Sequence, residues 1–365
     1  MIMDRKKSEG SKSIVDKSRL VDESGLNSRI VSFVTKWEFI LVVLLLLEIV
    51  VFSNLTPHFL NTFNLLNTTF TFSEKAILAL PMIFIILSGD IDISVAGIMA
   101  LSSFAMGYAS SQGAGTGVLV LIGLCVGVIA GFFNGLLVTG LNMPAIAVTL
   151  ASMTLFRGIS QAILEDQAYT EYPEKFGYFG QGYIGDSMVP FELVLFLVLA
   201  VIMGFVLHKT TYGRKLYAIG NSSSAANFSG ISVNKVRLTN FVLNGLFAGI
   251  AAVLLTSRIG STRPNIATGF ELEVITLVVL GGVSITGGKG NIFGVVLAIF
   301  LLGYLKFGMG LLNISAKVMI ITTGALLIIA VLIPGFMDST KARNKLKRQQ
   351  NLETTEKNLN KGIDE

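Results

Sequence analysis

Charge is scarce in this chain. Only 14% of its 365 residues are Asp, Glu, Lys or Arg, against roughly 25% in an ordinary soluble domain, and that deficit argues against a soluble enzyme. Cysteine and histidine are scarcer. Cys125 is the single cysteine and stands inside an apolar run, which excludes an internal disulfide. The two histidines, His58 and His208, are far apart and exclude a His-rich metal centre or a histidine proton chain. No paired nucleophile and base stands out, which disfavours a membrane-embedded enzyme. The first 36 residues are polar and mixed in charge. They lack the apolar core of a cleavable signal peptide and read as a solvated tail.

What is abundant is apolar sequence, 52% of the residues, together with 38 glycines. The apolar residues fall in blocks of about 20, the length a helix needs to cross the hydrocarbon core of a bilayer. Ten candidate spans run at about 38–56, 74–88, 93–110, 117–139, 143–164, 189–208, 236–257, 270–283, 291–309 and 317–335. The expected fold is therefore all-α, a polytopic membrane helix bundle of about ten transmembrane helices. The second and eighth spans are short. At a rise of 1.5 Å, about 14 residues cover roughly 21 Å, so discontinuous or re-entrant segments whose backbone is covered by protein are expected there.

The positive charges give a topology. Of 28 Lys and Arg residues, eight lie within 1–37, seven after 336, and five (Lys209, Arg214, Lys215, Lys235, Arg237) between the sixth and seventh spans. All three regions are expected on the cytoplasmic side, and six spans before the middle loop give the same parity. Glu165 to Val189, with five acids against Lys175, then faces outward. The net charge of +5 resides in tails and one loop rather than on a folded face, so no nucleic-acid partner is expected. Gly123, Gly127, Gly131 and Gly135 repeat every four residues, and Gly245 and Gly249 repeat the spacing in the seventh span. Such stripes let helix backbones approach closely and mark packing rather than catalysis.

The densest polar cluster within the apolar region is Ser88-Gly89-Asp90-Ile91-Asp92-Ile93-Ser94. Asp92 or Ser94 can cap a helix beginning there. The same carboxylates can line a translocation path, since intramembrane acids usually face a cavity or a partner. Arg157 in the fifth span must find a partner or water: a structural ion pair or snorkelling is the favoured role, solute contact the alternative. Glu48 reads as structural. Asn134, Thr149, Asn240, Asn244 and Thr276 could line a route for a polyhydroxylated solute or join helices. In the middle loop, a short helix around Ala225 and Ala226 ended by Gly230 would present a smooth knob to a partner's groove, or simply connect two spans. Gly281 to Gly290 does not meet the spacing of a phosphate-binding P-loop: Val283 occupies the first glycine position and Gly290 replaces the magnesium-binding hydroxyl residue.

Over residues 37 to 335 the chain resembles the permease subunits of bacterial ABC importers of the ribose, xylose and arabinose type. The matching segments are Gly89 to Val95, Asn134-Gly135 with Pro144 to Thr149, Arg157-Gly158, Gly213 to Gly230, and Gly281-Gly282 with Gly287-Gly288. Ala251 to Pro264 and Gly269 to Thr286 look most like rhamnose-type and autoinducer-2 import permeases, and Tyr172 to Tyr183 favours rhamnose. Two departures stand out: Asp90 occupies what is usually a second glycine, and Ala96-Gly97 replaces the more usual Gly-Ser.

The resemblance implies a polar cytoplasmic N-terminal tail (1–37), a transmembrane domain (38–335) and a basic cytoplasmic C-terminal tail (336–365), multi-pass in the bacterial inner membrane. It implies no cofactor in this chain, with ATP consumed by a partner ATPase of two tandem cassettes. That ATPase would engage Gly213, Arg214, Ala225, Ala226 and Gly230. The other implied partners are a second permease, identical or paralogous, and a periplasmic or lipid-anchored sugar-binding protein. Candidate path residues are Asp90, Asp92, Ser94, Asn134, Thr149, Arg157, Asn244 and Thr276. The rival from another class is an ion-coupled secondary transporter, with Asp90 and Asp92 as its ion or proton sites.

Overall fold

The structure is a computed structural model that describes residues 37–326 together with Ile328 and Leu332. The expected tails, Trp37 apart, and the end of the tenth span lie outside the described residues. Helix α1 spans Trp37–Leu55 and α2 Thr62–Thr68, which a 3₁₀ turn (Thr69–Thr71) joins to α3, Ser73–Leu87. Then follow α4 (Val95–Ser111), α5 (Thr116–Gly140) and α6 (Ala145–Leu164). A second 3₁₀ turn (Glu174–Gly177) and the single-turn α7 (Tyr178–Gln181) precede α8 (Phe191–Lys209). Two short helices, α9 (Thr211–Asn221) and α10 (Ser223–Phe228), lead into the long α11 (Val233–Ile259). The chain continues through α12 (Phe270–Leu280), α13 (Ile292–Leu311) and α14 (Ala316–Leu326). No strand occurs among the described residues, where the only β-type pairings are two isolated bridges.

Each of the ten apolar windows carries a helix, yet among the described residues only six (α1, α5, α6, α8, α11 and α13) are long and apolar enough to cross a membrane; α2 with α3, bent by 58°, would make a seventh. The shorter ones have a physical reason. Every residue of α3 except Lys75 is buried, as expected of a helix that is apolar all round. A helix wrapped in protein has its ends covered by neighbouring backbone and need not match the bilayer thickness. The same holds for α12, whose last five residues are all buried and whose Leu280 carbonyl accepts a 2.6 Å hydrogen bond from the Trp37 indole at the start of α1. The third window, expected as a full span, is the 17-residue α4 for the same reason, with Val95 to Ala100 buried throughout.

The two glycine stripes meet each other. A Cβ on Gly127 would overlap the Gly245 carbonyl oxygen, one on Gly131 the Phe241 carbonyl, and one on Gly249 would lie 2.6 Å from the Gly123 carbonyl oxygen. α5 and α11 therefore touch backbone to backbone, the approach that small-residue stripes permit. Around this pair lie α3 and α4, forming a buried centre from which α1, α6, α8 and α13 extend outward.

α11 also sets the long dimension. Its 27 residues span roughly 40 Å at 1.5 Å per residue. Near its C-terminus, Ser257 accepts from the Gly180 amide at 2.8 Å and donates to the Phe176 carbonyl at 2.5 Å. Near its N-terminus, Asn240 accepts from the Tyr212 hydroxyl at 2.6 Å. The acidic segment and the basic loop thus sit at opposite ends of one helix, as the span parity requires.

Replacing Gly131 with Leu is expected to cost at least the roughly 1–3 kcal/mol of an overpacked core, because backbone rather than a flexible side chain must move. Gly117→Ala, at a position where a Cβ meets nothing within 4 Å, is expected to be neutral. Thermal unfolding in detergent reads the difference, and equal melting temperatures for the two variants would contradict the close approach.

Candidate functional site

The break between α3 and α4 is where backbone and charge converge. α3 ends at Leu87, and Gly89, at φ +84°, turns the chain into a conformation that L-residues rarely adopt. Ser88 returns its hydroxyl to the Phe84 and Ile85 carbonyls at 3.0 and 2.8 Å. Asp90, 6% exposed, then meets Arg237 of α11 side-on: Nε donates to Oδ2 at 2.6 Å and Nη2 to Oδ1. A bidentate guanidinium–carboxylate pair is directional as well as charged. It fastens the break to the first turns of α11.

Asp92 is wholly buried and satisfied differently. Its Oδ1 accepts from the Ser94 amide (2.9 Å) and hydroxyl (2.5 Å), and its Oδ2 from the Asn244 amide group at 2.8 Å. Ser94 in turn accepts from Asn134 of α5 at 2.7 Å. The carboxylate thus engages an amide at the start of α4, where the helix dipole favours a negative charge. Asn134, Ser94, Asp92 and Asn244 form one buried chain from α5 to α11. Thr149 of α6 reaches the same segment, donating to its own Ala145 carbonyl at 2.9 Å and lying 3.4 Å from the Ile91 carbonyl.

The other candidate path residues stand apart from this chain. Thr276 is buried and bonds only within its own helix, to the Leu272 carbonyl at 2.7 Å. Arg157 is half-buried on α6, and its Nη1 donates to the Ile266 carbonyl and the Thr268 hydroxyl, each at 3.1 Å. No ion pair to Arg157 occurs among the described residues. Glu48 is buried on α1 with neither oxygen hydrogen-bonded.

At the basic end, α9 and α10 form a compact step. Ser222 caps α10, accepting from the Ala225 amide at 3.2 Å. The helix ends with Gly230 at φ +82° and a return bond from the Ile231 amide to the Ala226 carbonyl at 3.1 Å, the left-handed termination that glycine favours. Ala226 is buried under the step, Ala225 and Arg214 are exposed, and Gly213 packs on the Leu207 backbone. Phe228 is 92% exposed.

Several contacts here escaped the sequence. Gly220 of α9 presses on the Leu87 carbonyl and the Gly288 backbone, and the Gly288 amide donates to Leu87 at 3.0 Å. Tyr217 donates to the Gly290 carbonyl at 2.7 Å. The loop that superficially suggested a phosphate site thus clamps the end of α3 to α9. Arg237 served only as a topology marker, and Phe228 was one apolar residue in a loop. At the opposite end, Glu74 pairs with Arg258 at 2.6 Å, and Glu273 with Lys75 and Lys306 at 2.7 and 2.8 Å. Tyr172 shares a 2.7 Å hydrogen bond with Thr262, and burial pushes its phenol up to about 12.

A bundle of apolar helices, broken at a buried polar segment and carrying a loop step at one end, is the architecture of a membrane transport subunit. Residues 64–331 match the family model described as the permease component of branched-chain amino acid transport systems. The ribose import permease protein RbsC of Bacillus subtilis (strain 168) is 37% identical over 292 residues, covering 79% of this chain and 90% of that protein. The autoinducer 2 import system permease protein LsrD of Escherichia coli (strain K12) is 34% identical over 300 residues, 81% and 91% of the two chains. No solved structure matches. The chain belongs to this family of ABC importer permeases, whose characterised relatives here are transport subunits rather than enzymes. The solutes in these descriptions differ, so membership alone names none.

Asp90→Ala leaves a guanidinium unpaired in a mostly buried site, and with one partner partly exposed the expected cost is about 1–3 kcal/mol. The double variant Asp90→Ala/Arg237→Ala is expected to recover part of that loss. Strict additivity of the two single-variant melting shifts would show that the pair is not coupled.

Proposed function

We propose that this chain is the passive half-channel of an ATP-driven importer for a small polyhydroxylated solute in the bacterial inner membrane, with rhamnose the favoured sugar and ribose and autoinducer 2 the alternatives. The observation that carries this reading is the continuity from the exposed step to the broken helix. α10 presents Phe228 outward, α9 presses Gly220 on the last carbonyl of α3, and Arg237 grips Asp90 just beyond it. A push on α10 therefore reaches the break through backbone contact and a charge pair rather than through flexible side chains.

An ATPase subunit of two tandem cassettes would seat the step in a groove, with exposed Ala225 providing its smooth surface, buried Ala226 seating the helix on the bundle, Gly230 its sharp exit and Phe228 an apolar anchor. A binding protein would deliver solute at the opposite end of α11, and a second permease, identical or paralogous, would complete the path. ATP is used by the partner, and this chain needs no cofactor of its own. The positive charges of the two tails support a cytoplasmic position for both termini. The ion-coupled alternative is less favoured because both carboxylates it would use already have donors: Asp90 has a bidentate arginine and Asp92 three hydrogen bonds.

The test is uptake of labelled rhamnose into vesicles holding this chain and its candidate partners, with ribose and autoinducer 2 as competitors. Uptake is expected to require ATP and every subunit, and to survive an uncoupler while ATP is clamped. Uptake by this chain alone that follows an ion gradient would overturn the reading. Gly230→Trp and Phe228→Ser are each expected to leave the protein inserted but to lower uptake per ATP hydrolysed by about tenfold, the effect of losing one well-packed contact. Unchanged coupling in both would remove the step from the mechanism.

A further inference from the structure

The loop that joins α12 to α13, residues 281–290, is half glycine, five residues of ten. Gly282, Gly287, Gly288 and Gly290 all hold positive φ, and with no side chain such backbone has little stiffness of its own. It keeps its place only where neighbours pin it. Two pins come from α3 and α9: the Gly288 amide on the Leu87 carbonyl and the Tyr217 hydroxyl on the Gly290 carbonyl. Two more come from the first residues of α1. The Trp37 indole donates to the Leu280 carbonyl at 2.6 Å, and its ring lies against Gly282, where an added Cβ would stand 2.7 Å from Trp37 Cδ1. Glu38 accepts through Oε1 from the Asn291 side-chain amide, while Asn291 Oδ1 caps α13 by accepting from the Gly294 amide at 2.8 Å. Adjacent residues of α1 thus hold the loop both where it leaves α12 and where it enters α13.

The rest of α1 shows no such attachment to the loop. Leu46, Leu47 and Val50 are each 57% exposed and suit lipid, and the helix packs on α13. A tryptophan at the end of a span commonly anchors it in the headgroup layer with its N–H among water and lipid. Trp37 instead commits its N–H to a backbone carbonyl of the protein and covers a glycine.

We infer that Trp37 and Glu38 are positioning residues for energy coupling, holding loop 281–290 as the fixed base against which movement of α9 is delivered to the end of α3. The inference rests on the importer reading above and extends it to a helix outside the step. Its mechanical ground is that Gly220 of α9 touches the Leu87 carbonyl and the Gly288 backbone together. A loop held by α3 and α9 alone would travel with whichever of them moved. Tied to α1 and α13 as well, it stays, and the load passes to the last turn of α3.

Hydrogen exchange and transport, read together in the full complex in proteoliposomes, test the bracket. The transported probe is labelled rhamnose, ribose or autoinducer 2, whichever the parent takes up. Trp37→Ala is expected to speed amide exchange in 281–290 by at least about tenfold and to lower uptake per ATP hydrolysed by about tenfold, as for one lost well-packed contact. The solute KM and the amount of co-purified ATPase are expected to stay at the parent's values. Leu47→Ala, on the exposed side of the same helix, is expected to change none of these. A loosened loop with parental coupling, or lost coupling with parental loop exchange, would overturn the proposal. Glu38 gives a second test that does not depend on Trp37→Ala inserting. Glu38→Gln keeps an acceptor for the Asn291 amide and is expected to couple as the parent does, whereas Glu38→Ala is expected to lose about fivefold, the effect of one hydrogen bond. Equal coupling by these two variants would overturn the bracket. A parent complex without ATP-driven uptake would overturn the importer reading, and the coupling role with it, while loop exchange would still report whether α1 holds the loop.

Discussion

Everything in this bundle depends on how closely α5 and α11 can approach. In a bilayer no hydrophobic force drives two apolar helices together, so association rests on packing and on hydrogen bonds that cannot be made elsewhere. Glycines at positions 127, 131, 245 and 249 remove the side chains between the two backbones. With them in contact, Asn134 and Asn244 both reach the segment between α3 and α4, and the buried chain through Asp92 and Ser94 can form. A bulky residue in the seam would separate both asparagines from that segment at once.

The seam also explains how two carboxylates are held close together in an apolar protein. They are treated in opposite ways. Asp90, nearer the loop end, is neutralised by a bidentate arginine whose side chain is partly exposed, where an ion pair is least costly to desolvate. Asp92 receives neutral donors at the start of α4 and no cation. The arrangement makes α11 a strut: one end carries Arg237 beside the basic step, the middle carries Asn244, and the far end carries Ser257 against the acidic segment and Arg258 paired with Glu74 of α3.

Much of this was legible in the sequence. Composition and block length define an all-helical membrane protein, charge bias places the middle loop and the acidic segment at opposite ends, and the four-residue glycine period announces close helix packing. Ser222 to Gly230 reads as a capped short helix because a serine cap and a terminal glycine are local signals. What was not legible depends on contacts distant in the chain. Asp90 and Arg237 stand 147 residues apart, and nothing local says that an arginine counted as a topology marker ends on a buried carboxylate. Helix lengths misled for a related reason: α4 is apolar enough to read as a span, but it is enclosed by protein and stops short. The uncharged polar candidates looked equivalent in sequence, and Arg157 offered either a structural role or solute contact. Burial separates them, placing most inside the bundle and Arg157 on its flank.

With α5, α11 and the break joined by backbone contacts and a charge pair, this part of the permease is expected to move as one body when its partner ATPase turns over. A disulfide across the seam is the most direct test. A Cβ on Gly123 would lie 3.0 Å from Val253 Cγ2, so Gly123→Cys with Val253→Cys, in a Cys125→Ser background, can bridge α5 and α11. ATP-driven uptake by the assembled complex is then compared before and after reduction. Equal rates are predicted for the oxidised and reduced forms; uptake that stops on oxidation and returns with dithiothreitol would show that the helices slide past each other and would contradict the rigid strut.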